Sequence, residues 1–116
     1  MIIGIGIDAV ELYRIEDIIK NNPKFISRVL TSRELEIFET LKIKRQTEFL
    51  GGRFACKEAF SKAYGTGIGK VGFQDIEVLS EESGRPIVYQ SIFEGQVHVS
   101  ITHTDEVAFA QIILEK

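Results

Sequence analysis

The chain is predicted to adopt an α+β fold, with helices in the first half packed on a mostly antiparallel sheet. Three features of the sequence point there. Residues 3–8 alternate strictly, apolar residues then recur at helical spacing as far as about residue 64, and from Phe73 onward the period becomes two. With 116 residues, 44 % of them hydrophobic and 27 % charged, the chain is read as one domain spanning 1–116. A domain of that length buries roughly two-thirds of the surface its unfolded chain exposes.

In the first strand Ile3, Ile5 and Ile7 lie on one face and Gly4, Gly6 and Asp8 on the other, the glycines leaving room for another backbone or a ligand. "DAVE" at 8–11 resembles a capping box headed by Asp8, so a helix is expected from there to about Lys20, broken by Asn21, Asn22 and Pro23. A short helical piece is expected over 24–28. Thr31 and Glu34 form a second capping box, with Leu30 and Leu35 as its hydrophobic staple, and open a helix carrying Leu35, Phe38 and Leu41 on one stripe. A longer helix is expected from about Gln46 to Tyr64, ended by Gly65, with Gly51 and Gly52 inside it marking close packing. "FQDIEVLS", "RPIVYQ", "QVHVSIT" and "EVAFAQIIL" read as strands, the last two joined by a tight turn over 103–106, and "SIFEGQ" as a helical turn. The last strand is apolar on both faces yet carries Gln111. A buried amide there needs a partner, which a subunit interface would supply.

Composition narrows the function classes. A net charge of −3 leaves no global field for nucleic acid, so an acidic partner must be met by a local patch. Such a patch runs from Leu12 to Arg33, where five cations (Arg14, Lys20, Lys24, Arg28, Arg33) face two acids (Glu16, Asp17), a local +3. It reads either as a solvated helix face or as a docking surface for an acidic protein. Few aromatics interleave with these cations, which disfavours single-stranded nucleic acid. The lone Cys56 fits a reducing cytosol, "MIIGIGID" lacks the basic leader of a signal peptide, and no stretch nears the roughly 20 apolar residues of a membrane span; a cytoplasmic protein is expected.

"GIGKVG" at 67–72 formally matches G-x-G-x-x-G but follows a helix and opens a strand, the reverse of a dinucleotide fingerprint. A Walker A reading fails because Tyr64 and Val71 occupy the first-glycine and Ser/Thr positions. More informative is the helix before it. Glu58 and Lys62 share a face at i, i+4, either as an exposed ion pair or, with Asp8 at the end of the first strand, as a phosphate site. Two hard carboxylates with open positions suit Mg²⁺, and Lys62 would add a mobile point cation beside the phosphates. Taken alone, Asp8 suits a helix N-cap better than a ligand role. His103 would donate to a phosphate or cap its turn. His98 reads as an exposed strand residue and Cys56 as a packed small one.

Taken together, "GIGIDAVEL" at 4–12, "RFACKEAFSKAYGTGIG" at 53–69 and "HVSITHT" at 98–104 resemble the holo-acyl-carrier-protein synthases, the short-chain 4′-phosphopantetheinyl transferases. The resemblance runs in order over nearly the whole chain, and Phe54 stands where many relatives carry tryptophan. It implies transfer of 4′-phosphopantetheine from coenzyme A to a serine of an apo acyl carrier protein in fatty acid biosynthesis, releasing adenosine 3′,5′-bisphosphate. Asp8 and Glu58 would hold Mg²⁺. Lys62, Gly65 and His103 would line the coenzyme A site, with Arg45 and Arg53 reaching its phosphates from an adjacent subunit. Either Glu58 or a water on the metal would take the serine proton. Arg14, Lys24 and Arg28 would meet the acidic carrier, and the protein would be a homotrimer with active sites at subunit interfaces. A non-catalytic module docking an acidic carrier is the alternative.

Overall fold

The computed structural model describes all residues 1–116. Its elements run β1 (Ile2–Glu11), α1 (Leu12–Asn21), α2 (Lys24–Val29), α3 (Ser32–Glu39), α4 (Ile43–Tyr64), β2 (Glu77–Ser80), β3 (Pro86–Tyr89), β4 (Gln96–His103) and β5 (Val107–Glu115), with a 3₁₀ turn at Phe73–Asp75. The α+β expectation holds, and all strand pairing is antiparallel, but in two sheets: β1-β5-β4 and the separate hairpin β2-β3.

The capping box expected at Asp8 does not form. β1 continues to Glu11, Asp8 pairs with Ala110, and α1 starts only at Leu12, with no side-chain cap. Cross-strand pairing along β5 outweighs a local capping signature worth about 1 kcal/mol. "SIFEG" at 91–95 is likewise a run of bends rather than a helical turn, and Gln96 already belongs to β4. The run is held by Gln90, whose Oε1 accepts from the Ile92 and Phe93 amides. By contrast, the Thr31–Glu34 capping box is present in both directions and Gly65 ends α4 in the left-handed region at φ 91°. α4 begins a turn earlier than expected, at Ile43.

Helix α4 lies against the inner face of the larger sheet. Its Ala55, Cys56, Ala59, Phe60 and Ala63 pack on Ala110, Ile112 and Leu114 of β5, while Ile15, Val29, Leu30, Phe38 and Leu50 form a second cluster under α1–α3. Burial pushes the Cys56 thiol up to about 12, so it is a packing residue. The β1 glycines make room for backbone: a Cβ at Gly4 or Gly6 would strike the Ala63 or Ala59 carbonyl oxygen of α4. A Gly6→Ala variant should therefore force β1 and α4 apart and lose about 2–3 kcal/mol in urea unfolding, as overpacked cores do. A loss below about 0.5 kcal/mol would mean that the contact yields easily.

The opposite face of the larger sheet is uncovered. Ile5 and Ile7 are 61 % and 59 % exposed beside a half-exposed Phe109. Gln111 lies on this face and is exposed, so within one chain its amide meets solvent rather than a buried partner.

Candidate active site

The close approach permitted by the β1 glycines sets Asp8, two residues beyond Gly6, against the C-terminal half of α4. There Lys62 Nζ lies 2.8 Å from Asp8 Oδ1 and also donates to the Ile7 carbonyl at 3.1 Å. Lys62 thus reaches across to β1 instead of pairing with Glu58 along its own helix. Glu58, one turn earlier, feels both groups. Burial and then the charge of Asp8 hold its carboxyl above the usual carboxylate range, against the smaller pull of Lys62. Three of the residues singled out in the sequence therefore meet at one place.

The donor set suits a divalent cation. Nowhere do three His, Cys, Asp or Glu side chains converge, so an all-protein cage is absent. Mg²⁺ needs none: it binds through one or two carboxylates, keeps several waters and takes further oxygens from substrate phosphates. The Lys62 ammonium stands in for such a cation at Asp8, whose side chain is 16 % exposed. The Glu58 carboxyl is raised first by burial and then by the nearby charge of Asp8, both of which a bound cation would offset. The end of α4 adds to this, because helix C-terminal carbonyls attract cations and repel anions. Gly65 and the loop after it fold back on that end, the Gly65, Thr66 and Gly67 amides all pointing to the Ser61 carbonyl. Phosphates here must be held by cations, not by the helix dipole.

A protonated Glu58 cannot ligate, so Mn²⁺ binding followed by EPR should weaken as pH falls through a value above the roughly 4.3 of a free glutamate. The same shift means that the stability Glu58 contributes is full at low pH and lost as pH rises through the raised value. Cation binding that stays flat down to about pH 4 would contradict this assignment.

The remaining predicted residues form a second cluster. Arg45 Nη1 bonds Glu48 Oε1 at 2.8 Å, and His103 Nδ1 lies 3.7 Å from Glu48 Oε2, with the Glu48 side chain only 9 % exposed. Ten residues of α4, about 15 Å of helix, separate Glu48 from Glu58. Within one chain, then, Arg45 and His103 do not join Asp8, Glu58 and Lys62. Sequence reading missed Glu48, although its i, i+3 spacing to Arg45 was visible. A cavity of about 620 Å³ opens beside this cluster, lined by Glu11, Glu16, Glu48, Asp105 and Glu106 against Lys20 and Lys44. Its acidic excess makes it a poor phosphate site in the single chain.

Arg53 is committed elsewhere. Its guanidinium stacks 4.1 Å from the Phe49 ring centroid, Nε donates to the Val78 carbonyl at 3.3 Å, and burial lowers its pKa. It fastens the β2-β3 hairpin to α4. Arg14 is exposed and pairs with Glu11 at 3.1 Å. Lys24 and Arg28 are exposed on α2, with no carboxylate within ion-pair distance.

Comparison with known proteins gives the family of the chain. Residues 4–112 match the family described as the 4′-phosphopantetheinyl transferase superfamily. The chain is 66 % identical over 115 residues to the holo-[acyl-carrier-protein] synthase of Enterococcus faecalis, covering 99 % of this chain and 98 % of that protein. It superposes with a TM-score of 0.93 and 53 % identity on the crystal structure of a holo-(acyl-carrier-protein) synthase from Bacillus anthracis in complex with CoA (3′,5′-ADP), covering 98 % of this chain and 96 % of that one. The Helicobacter pylori holo-[acyl-carrier-protein] synthase in complex with coenzyme A superposes with a TM-score of 0.83 at 32 % identity, over 96 % and 99 % of the two chains. With a family match over nearly its whole length and such relatives on the same fold, the chain belongs to the 4′-phosphopantetheinyl transferase superfamily.

Proposed function

We propose that this protein is a cytoplasmic holo-[acyl-carrier-protein] synthase. It moves 4′-phosphopantetheine from coenzyme A to a serine of an apo acyl carrier protein in fatty acid biosynthesis, with Asp8, Glu58 and Lys62 carrying the reaction. The observation behind this reading is the meeting of those three side chains across β1 and α4 in a chain of this family. Asp8 and Glu58 would hold Mg²⁺, which when bound would neutralise the diphosphate oxygens and stabilise the leaving group. Lys62, half exposed on a flexible stem, leaves Asp8 for a diphosphate oxygen and adds positive charge where negative charge builds up. The serine Oγ forms a bond to the β-phosphorus and the bridging bond to the α-phosphate breaks, releasing adenosine 3′,5′-bisphosphate. The serine proton would go to Glu58 or to a water on the metal, since a bound cation lowers the pKa of its water. Gly65, left-handed at the end of α4, lets the chain pass close to the ligand without a side chain in the way.

The assembly is a homotrimer, the number coming from the family resemblance. Two features support association. Ile5, Ile7 and Phe109 form an uncovered apolar sheet face. The Arg45–His103 cluster also lies too far from Lys62 to share one diphosphate within a chain, so a neighbouring copy's cluster completes the coenzyme A site. Arg14, Lys24 and Arg28 meet the acidic carrier and steer its approach. A non-catalytic docking module would need only those cations and leaves the convergence of Asp8, Glu58 and Lys62 without a purpose.

Intact mass of an apo acyl carrier protein after incubation with this protein, coenzyme A and Mg²⁺ tests the reading. The expected result is a gain of one phosphopantetheine that EDTA abolishes. An unchanged mass with carrier binding retained would favour the docking module.

A further inference from the structure

We infer that Gln74 and Lys57 are positioning residues for carrier docking, because together they hold the C-terminal end of α2, the helix that presents Lys24 and Arg28. This rests on the docking role proposed above. α2 has six residues, too few to persist by its own hydrogen bonds. The last carbonyls of any helix are left without intrahelical partners. Here two side chains from distant segments take them. Gln74 Nε2, on the 3₁₀ turn, donates to the carbonyls of Ser27, Arg28 and Leu30 at 3.0, 3.2 and 2.8 Å, its two hydrogens shared among the three. Lys57 Nζ donates to the Val29 carbonyl at 2.6 Å and to Glu34 Oε1 at 2.6 Å. Every carbonyl from Ser27 to Leu30 is thereby occupied. At the other end of the helix Phe25 packs on Phe54 and Phe73, both centroids 6.2 Å away, so α2 is fixed at both ends to α4 and the 3₁₀ turn. Lys57 is the residue before Glu58, so the support of the docking helix and the metal ligand sit side by side on α4.

Gln74 is exposed, so its variants should fold, whereas Lys57 is fully buried. In a Gln74→Leu variant the end of α2 loses its donors and spends less time in the docking position. If that position falls to about one-fifth occupancy, the KM for apo carrier rises about fivefold, with kcat and the KM for coenzyme A unchanged. In a Lys24→Ala/Arg28→Ala background the same change should add nothing, because there are no cations left to place. That result supports the assignment. A rise of the same size in both backgrounds would overturn it, as would a normal carrier KM for Gln74→Leu when Lys24→Ala/Arg28→Ala is impaired; the docking role of the cations would survive both results. A normal carrier KM for Lys24→Ala/Arg28→Ala would overturn the docking role itself and the positioning role with it.

Discussion

Glu58→Gln should lower turnover about a thousandfold or more, with apo-carrier binding kept within about twofold and unfolding free energy within about 0.5 kcal/mol of the parent. Glutamine keeps the size of the side chain and one oxygen but loses the charge that a divalent cation needs and the capacity to take a proton. The expected stability follows from the raised Glu58 carboxyl: burial, and then the charge of Asp8, disfavour its ionised form, so removing the charge costs the fold nothing. Single-turnover mass measurement beside a carrier-binding titration separates the two effects. Near-parental turnover would remove Glu58 from the chemistry. Equal losses of turnover and carrier binding would instead make it a docking residue.

Lys57→Met should cost about 3–5 kcal/mol in urea unfolding, a large part of the stability of a domain this size. The Lys57–Glu34 pair is completely buried at 2.6 Å. Burial alone lowers the pKa of Lys57, and Glu34 is the main influence opposing that. Glu34 is at a junction: Oε1 also accepts from the Thr31 amide at 2.8 Å and Oε2 from the Val78 amide at 2.7 Å. Removing the ammonium leaves a buried carboxylate with two backbone partners and no counter-charge. The Lys57→Met/Glu34→Gln double variant should recover part of the loss, since neutral groups replace both charges while one acceptor oxygen remains. A Lys57→Met loss below about 1 kcal/mol would show that water or a second cation reaches the site.

Features set by neighbours a few residues away were legible in the sequence. The Thr31 box, the end of α4 at Gly65 and the strand alternation of 96–103 all depend on local chemistry, and each stands in the structure. Asp8 was misplaced in structure because "DAVE" satisfies a local capping pattern, while β5, a hundred residues away, decides that residues 8–11 stay extended. The split into two sheets has the same origin: nothing in "FQDIEVLS" says whether its partner is β3 alone or the main sheet. At the candidate site, spacing placed Glu58 and Lys62 on one helix face but could not show that Lys62 turns to Asp8. The Lys57–Glu34 pair joins residues 23 positions apart and leaves no periodic trace. One signal was available. α4 carries small or apolar residues around most of its circumference (Gly51, Gly52, Ala55, Cys56, Ala59, Ala63), which means burial on all sides and leaves a lysine in its middle with no route to water.

The most direct test of Asp8, Glu58 and Lys62 as one phosphate-handling centre is a crystal structure of the turnover-competent protein with coenzyme A and Mn²⁺, read by anomalous diffraction. One peak is expected beside the carboxylates of Asp8 and Glu58, with Lys62 Nζ moved from Asp8 to an oxygen of the diphosphate. A diphosphate bound elsewhere, with Lys62 still on Asp8 and no peak beside the two carboxylates, would contradict that assignment.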